Sequence, residues 1–264
     1  MQKRLNVFLL TDLEGVAGVD SIEDMERGSE RYAHSCALLC AEINLAVKAC
    51  FDSGADRVYY LDGHGGGGNV KEAQIDPRAV KCTIADWCQL LQEGKIDCMV
   101  ELGAHARAGT VGGFLDHTIS SKEIFSIKVN GVEMSEFSLH AIVCARYGVP
   151  VVGLVGDEVA CKQAREYVPS IVVGAVKNAT CRNVATTYPN ADQILYDTVC
   201  RSLQKRSEVT CIPYSEPLLV EYCFYRTDMC EATLARTKDP VLRVDARTLQ
   251  KHVNSVTTYF DLRM

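Results

Sequence analysis

The chain has 264 residues, 47% hydrophobic and 23% charged, with a net charge of −6. That length buries a sizeable core in one large or two small domains. The acidic balance argues against nucleic acid as the main partner, because phosphate binding wants a basic face, and no apolar run reaches the ~18 residues of a membrane span.

Met1-Gln2-Lys3-Arg4 is basic and Leu5 to Leu10 is mostly apolar, which imitates a signal peptide. The run stops at Thr11-Asp12 without a small-residue cleavage pattern, so Arg4 to Leu10 reads as a first buried strand. From about Ser29 to Ser53, residues Cys36, Leu39, Cys40, Ile43, Ala46, Val47 and Cys50 recur at spacings of three and four, the helical period. Gly54 stops this helix as a C-cap would. Arg57 to Leu61 predicts a second strand, ending at Asp62-Gly63-His64. Val80 to Ile84 predicts a short third strand, followed by a short helix near Trp87 to Gln92. Asp97 to Leu102 predicts a fourth strand, ending at Gly103-Ala104-His105. Asn130-Gly131 within Val129 to Val132 signals a tight turn. A helix from about Ser135 to Tyr147, strands at Pro150 to Val155 and Ile171 to Val176, and a helix near Ala191 to Lys205 continue the alternation. The pattern specifies an α/β fold with a mostly parallel central sheet flanked by helices. From Pro217 it changes. Strands at Leu218 to Tyr225 and Val241 to Val244 flank a helical piece around Met229 to Ala235. This divides the chain into an α/β metal-site domain over 1–210 and a smaller C-terminal α/β lobe over 211–264.

The thirteen cysteines are scattered through apparent helices and strands. Cys36 and Cys40 share a helical face that could suit a metal, but no second pair at zinc-finger spacing accompanies them. They read as small buried hydrophobes in a reducing cytoplasm.

Ligands of open α/β sheets bind outside the carboxyl ends of the strands. Three predicted strands end there in metal-ligand chemistry: Asp12-Leu13-Glu14, Asp62-Gly63-His64 and Gly103-Ala104-His105. Carboxylates and imidazoles together suit zinc, and also manganese or cobalt, and one carboxylate can bridge two metals about 3.5–4 Å apart. Each piece also has an ordinary reading. Asp12 and Glu14 could cap a helix, Asp62-Gly63-His64 could be a turn, and His105 could be a satisfied core histidine. The run Gly65 to Gly68 lacks the Gly-Lys-Ser/Thr ending of a phosphate loop and suits close backbone approach to a metal or substrate. The loop from His105 to Ser120 carries Gly109, Thr110, Gly112 and Gly113, with His117 as the candidate catalytic base, acid or oxyanion stabiliser. His34, His140 and His252 read as surface or helix-packing residues.

The segments Thr11-Asp12-Leu13-Glu14-Gly15-Val16-Ala17-Gly18, Asp62-Gly63-His64, the Gly103-Ala104-His105 loop through His117-Thr118, and Asn130-Gly131-Val132-Glu133-Met134-Ser135-Glu136 resemble the D-aminopeptidase family of zinc metallopeptidases. The resemblance runs over most of the chain, continuing through Tyr147 to Asp157 and Val176-Lys177-Asn178-Ala179, and more faintly to Arg243 to Thr248. It implies two zinc ions per subunit, bridged by Asp12. Glu14 and His105 would complete one metal site, His64 and Glu136 the other. His117 would be the catalytic histidine, and the chain would form a homo-oligomeric ring, classically a decamer. Two positions depart from the family pattern: Ser135 where glycine is usual, and His140 where asparagine is common. The expected activity is a metal-dependent aminopeptidase acting on short peptides or amides, D-residue preferred. The alternatives are an amidase or deacylase on a non-peptide amide, and a non-catalytic nucleotide- or anion-binding module.

Overall fold

Asn6–Thr11 forms the first strand, β1, and Val7, Phe8, Leu9 and Leu10 on it are all buried. Both faces of β1 are covered, which is why its sequence is continuously apolar rather than alternating. The computed structural model describes residues 4–264; residues 1–3, the basic start of the sequence, lie outside the described residues. After β1 come α1 (Glu30–Asp52), β2 (Arg57–Asp62), β3 (Ala79–Lys81), α2 (Ile84–Gln92) and β4 (Cys98–Ala104). A short hairpin follows, β5 (Ile124–Val129) and β6 (Val132–Glu133), then α3 (Glu136–Arg146), β7 (Val151–Asp157), α4 (Glu158–Tyr167), β8 (Val172–Cys181), β9 (Val184–Thr187) and α5 (Ala191–Gln204). The last segment holds β10 (Leu218–Phe224), α6 (Thr227–Arg236), β11 (Leu242–Arg243) and β12 (Thr248–Val253).

The main sheet has seven strands in the order β3-β2-β1-β4-β7-β8-β9, parallel except for β9. The chain builds outward from β1 through β2 to β3, then returns to the other side of β1 with β4. The β1/β4 boundary is therefore the topological switch point, where a crevice opens at the strand ends. Registers align those ends: Thr11 pairs with Asp62 on one side and Leu102 on the other. Helices cover both faces. On the Leu9 side α5 packs so closely that a Cβ on Gly153 of β7 would lie 2.3 Å from Ser202 Oγ. On the Phe8 side Trp87 of α2 packs 6.1 Å from Phe8 and edge-on to His140 of α3 at 5.8 Å.

Length and composition alone would let α1 cross a membrane, a possibility that counting apolar runs in the sequence had set aside. Its apolar residues, among them Leu39, Ile43 and Val47, are packed into the core. All thirteen cysteines are unpaired and most are buried.

The C-terminal strands do not form a lobe of their own. They belong to a five-stranded sheet, β11-β12-β10-β5-β6, whose β5 and β6 come from the middle of the chain. A boundary between residues 210 and 211 therefore cuts through this sheet, because β10 pairs antiparallel with β5 across it. The Asn130-Gly131 turn joins β5 to β6 with both residues at positive φ, 51° and 81°, as a tight hairpin requires.

Candidate metal centre

The crevice at the β1/β4 switch point is shaped by close backbone approach. The Asp12 amide donates to the Leu102 carbonyl at 2.9 Å, and the Gly15 amide to the Gly103 carbonyl at 2.8 Å. A Cβ on Gly103, at φ +66°, would lie 2.1 Å from the Asp12 carbonyl oxygen. Only glycine lets the turn carrying Asp12 and Glu14 rest on the end of β4. Lys177, fully buried on β8, fastens the same turn from the other side. Its Nζ donates to the Glu14 carbonyl at 2.9 Å and to the Val19 carbonyl, and lies 4.9 Å from the Phe114 ring centroid. Burial pushes its pKa down to about 8 despite nearby Asp20 and Glu42.

His64 is held by the turn after β2. Buried Asp62 accepts from the Asn69 and Val70 amides at 2.7 and 3.1 Å and from Asn69 Nδ2 at 2.8 Å. Asn69 Nδ2 also donates to the His64 carbonyl at 2.7 Å. The His105–His117 loop is closed by Asp116, which accepts the Gly109 and Thr110 amides at 2.7 and 3.1 Å. Glu136 opens α3. Ser135, where the resemblance leads one to expect glycine, is that helix's N-cap and accepts from the Ser138 amide at 3.2 Å. The Ile119 amide donates to Glu136 Oε1 at 2.7 Å.

These elements bring Asp12, Glu14, His64, His105, His117 and Glu136 into one cluster. His64 Nδ1 lies 3.3 Å from Asp12 Oδ1 and 3.2 Å from Glu14 Oε2. His105 Nε2 lies 3.3 Å from Asp12 Oδ2 and 3.4 Å from Glu136 Oε1. His117 Nε2 lies 3.6 Å from Glu136 Oε1 and 3.8 Å from Glu14 Oε1, and its ring stacks on His105 at 4.0 Å and 4°. The donor atoms fall into two groups, Asp12/Glu14/His64 and His105/His117/Glu136, with Asp12 presenting one oxygen to each. This grouping differs from the pairing implied by the resemblance, because Glu14 neighbours His64 and Glu136 neighbours His105.

The hydrogen bonds around the rings show what the cluster lacks. His105 Nδ1 faces the Ala106 carbonyl at 3.0 Å and His117 Nδ1 the Leu115 carbonyl at 2.8 Å. A carbonyl only accepts, so each Nδ1 carries a proton, and Nε2 is the atom left to offer a lone pair when the ring is neutral. His105 Nε2 is buried with no hydrogen-bond partner; it is not a satisfied core histidine. Lone pairs of imidazole and carboxylate converge with nothing positive between them, which is the donor chemistry of a divalent cation.

Without a cation, protons must supply the charge. Burial pushes His64 down, but the Glu14 charge and hydrogen bonds to Asp12 and Glu14 hold it up at about 10. Burial likewise disfavours His105 imidazolium, yet Asp12 and Glu136 raise it well above its ordinary value. For Asp12, burial and the Glu14 charge push upward and the close approach of the His105 and His64 imidazoles prevails, leaving it lowered. Burial also opposes ionised Glu136, and His105 brings it down to about 2.

Of the other histidines, His34 and His252 are exposed. His140, one turn along α3 from Glu136, is buried with Nδ1 3.1 Å from Glu101 Oε2 on β4. Cys36 and Cys40 lie outside the clustered donor groups. Sequence reasoning gave no role to Lys177, which stands in a segment of the resemblance and whose signal was a lysine inside an apolar strand, or to Asn69, which directly follows the glycine run.

A doubly wound sheet with a carboxylate–imidazole cluster at its switch point defines an α/β protein with a candidate two-metal centre. The D-aminopeptidase family profile matches residues 5–264, and the chain belongs to that family. It is 26% identical over 233 residues to a D-aminopeptidase of Bacillus subtilis, covering 84% of this chain and 82% of that protein. Among solved structures it is similar to the Zn-dependent D-aminopeptidase DppA from Bacillus subtilis, a self-compartmentalizing protease, with a TM-score of 0.88 and 21% identity over 98% of this chain and 95% of that one. At that identity the structural likeness establishes the fold.

Proposed function

We propose that the chain is a zinc-dependent aminopeptidase that removes the N-terminal residue, D-residue preferred, from short peptides or amides. Asp12, Glu14, His64, His105 and Glu136 hold the two metals in this reading, with Asp12 shared between them. The observation that carries it is the buried, partnerless Nε2 of His105 facing the Asp12 and Glu136 carboxylates. Two zinc ions in such a donor set supply Lewis acidity toward a scissile carbonyl and acidify water.

The chain's own groups supply the rest. His117, whose Nδ1–H is committed to the Leu115 carbonyl, presents Nε2 to accept a proton from the attacking water and return it to the leaving amine. Stacking on His105 keeps that ring from rotating away. Unpaired cysteines suit a reducing, cytoplasmic setting, and likeness to a self-compartmentalizing protease supports a homo-oligomer, with a decamer as the proposed size.

The test is His117→Ala. Turnover of D-aminoacyl amides and dipeptides should fall by about 10²–10⁴-fold, with about two zinc equivalents retained per chain. Loss of zinc from the variant would make His117 a ligand. Wild-type protein that binds no divalent metal would overturn the whole reading.

A further inference from the structure

At the rim of the cluster, on the His64 side, lies a cation with no carboxylate partner among the described residues. Arg27 Nη2 donates to the Gly65 carbonyl at 3.0 Å, and its guanidinium carbon lies 5.8 Å from the Tyr32 ring centroid. Gly65 has φ +54°, and a Cβ there would lie 2.2 Å from Arg27 Nη2. The glycine therefore makes the space this guanidinium occupies. Tyr32 connects Arg27 to the centre. Its ring is 6.4 Å from the His64 ring, and its hydroxyl donates to Asn69 Oδ1, the side chain that also holds the His64 carbonyl. Lys71, exposed two residues beyond Asn69, is the other free cation on this side among the described residues; three further cations are committed. Lys177 is buried on backbone carbonyls, Arg107 faces Glu133 and Glu166, and Arg182 pairs with Asp116.

We propose that Arg27 is a specificity-determining residue that binds the free C-terminal carboxylate of a dipeptide whose N-terminal residue sits at the metal centre. This rests on the aminopeptidase reading above. A guanidinium has five N–H donors. With one spent on Gly65, the others remain for a carboxylate, which Arg can hold through two parallel bonds. Tyr32 neighbours both ends of the path, 6.4 Å from the His64 ring and 5.8 Å from the Arg27 guanidinium carbon, and two extended residues span at most about 7 Å. Added Cβ atoms on Gly66 and Gly68 would meet nothing within 4 Å, so the loop leaves open space beside the path. With the carboxylate held at the rim by Arg27, the amino end of the peptide faces the centre.

The experiment compares a dipeptide carrying a non-hydrolysable reduced peptide bond with its C-terminal amide. Binding to the zinc-loaded protein is measured by calorimetry, and hydrolysis of the parent acid and amide alongside. Wild-type protein should favour the acid. Arg27→Gln should weaken acid binding about ten- to hundredfold, as expected for bonds to a charged group, and leave amide binding, amide hydrolysis and zinc content unchanged. Arg27→Lys should recover part of the acid preference. Equal affinity for acid and amide in the wild type, or an unchanged ratio in Arg27→Gln, overturns the proposal. Arg27-dependent acid preference without hydrolysis of any substrate would instead overturn the aminopeptidase reading and leave carboxylate recognition standing.

Discussion

Replacing Gly103 with alanine probes how the fold builds its crevice. The new Cβ would sit 2.1 Å from the Asp12 carbonyl oxygen and 3.1 Å from Val16 Cγ2, at φ +66°. Ordinary contact is about 3.5 Å, so the two atoms must part by about 1.4 Å, and the left-handed conformation adds about 1–2 kcal/mol for a residue with a side chain. Both partners are backbone or packed core, so the strain has no flexible end to absorb it. Overpacking of this kind costs about 1–3 kcal/mol more. Metal coordination tolerates displacements of only about 0.2 Å, so a shift near 1 Å at the shared ligand should weaken zinc binding at least about 100-fold. The assay is competition against a chromophoric chelator, with thermal unfolding of the metal-free protein in parallel. Gly66→Ala is the control, since it carries a similar positive φ of 85° but meets no atom within 4 Å. A Gly103→Ala protein that binds two zincs with wild-type affinity would refute the reasoning, and so would equal losses in both variants.

Zinc binding should release protons, because His64 and His105 are both raised in the metal-free protein and must be neutral to ligate. Affinity should therefore climb between pH 6 and pH 9, and calorimetry in buffers of different ionisation enthalpy should show net proton release; zero release would contradict the site. The metal-free protein has its own pH dependence. The raised His64 contributes stability in full below its ordinary 6.5 and loses it as pH rises through about 10, whereas the lowered Glu136 contributes in full above 4.5 and loses it as pH falls through about 2. Chemical unfolding of metal-free protein should accordingly weaken from pH 6.5 toward pH 10, and a flat profile would speak against the ion cluster. Glu42→Gln addresses a separate buried acid. Burial raises its pKa to about 7, while Oε1 accepts the Ala17 amide at 2.7 Å and Oε2 has no partner. A raised carboxyl stabilises the fold below 4.5 and ceases to as pH rises through 7, so the amide should stabilise by on the order of 1–3 kcal/mol at pH 8.5 and by little at pH 4.5. Equal effects at both pH values would exclude titration as the cause.

The sequence made the parallel sheet legible because buried parallel strands are continuously apolar and the helix α1 keeps its period. Asp12, His64 and His105 were legible for the same reason, as polar residues at the ends of such strands. Glu136 was not, because it reaches the cluster from the first turn of a helix that follows the second sheet, and an acid there is already explained by the helix dipole. Resemblance alone pointed to it. Other gaps have local causes. Helix α4 starts directly after β7, with Asp157 as both last strand residue and N-cap, so no loop composition marks it. The β8–β9 hairpin turns through Arg182-Asn183 without the Asn-Gly signal that marked β5–β6. In β12, Gln250, Lys251 and His252 hide the apolar alternation, although Lys251 is buried with Nζ 2.9 Å from Asp239.

The second sheet has a consequence for the order in which the chain can mature. During synthesis the β5–β6 hairpin emerges long before β10, its partner on the other side. Until residues 218–224 arrive, β5 presents a free edge, with exposed Phe125 and Val132 nearby, and a two-stranded ribbon is only marginally stable in water. The nascent protein therefore carries an open pairing edge beside Glu136 for as long as the ribosome needs to make the intervening segment, and that edge is where premature association with another chain would start.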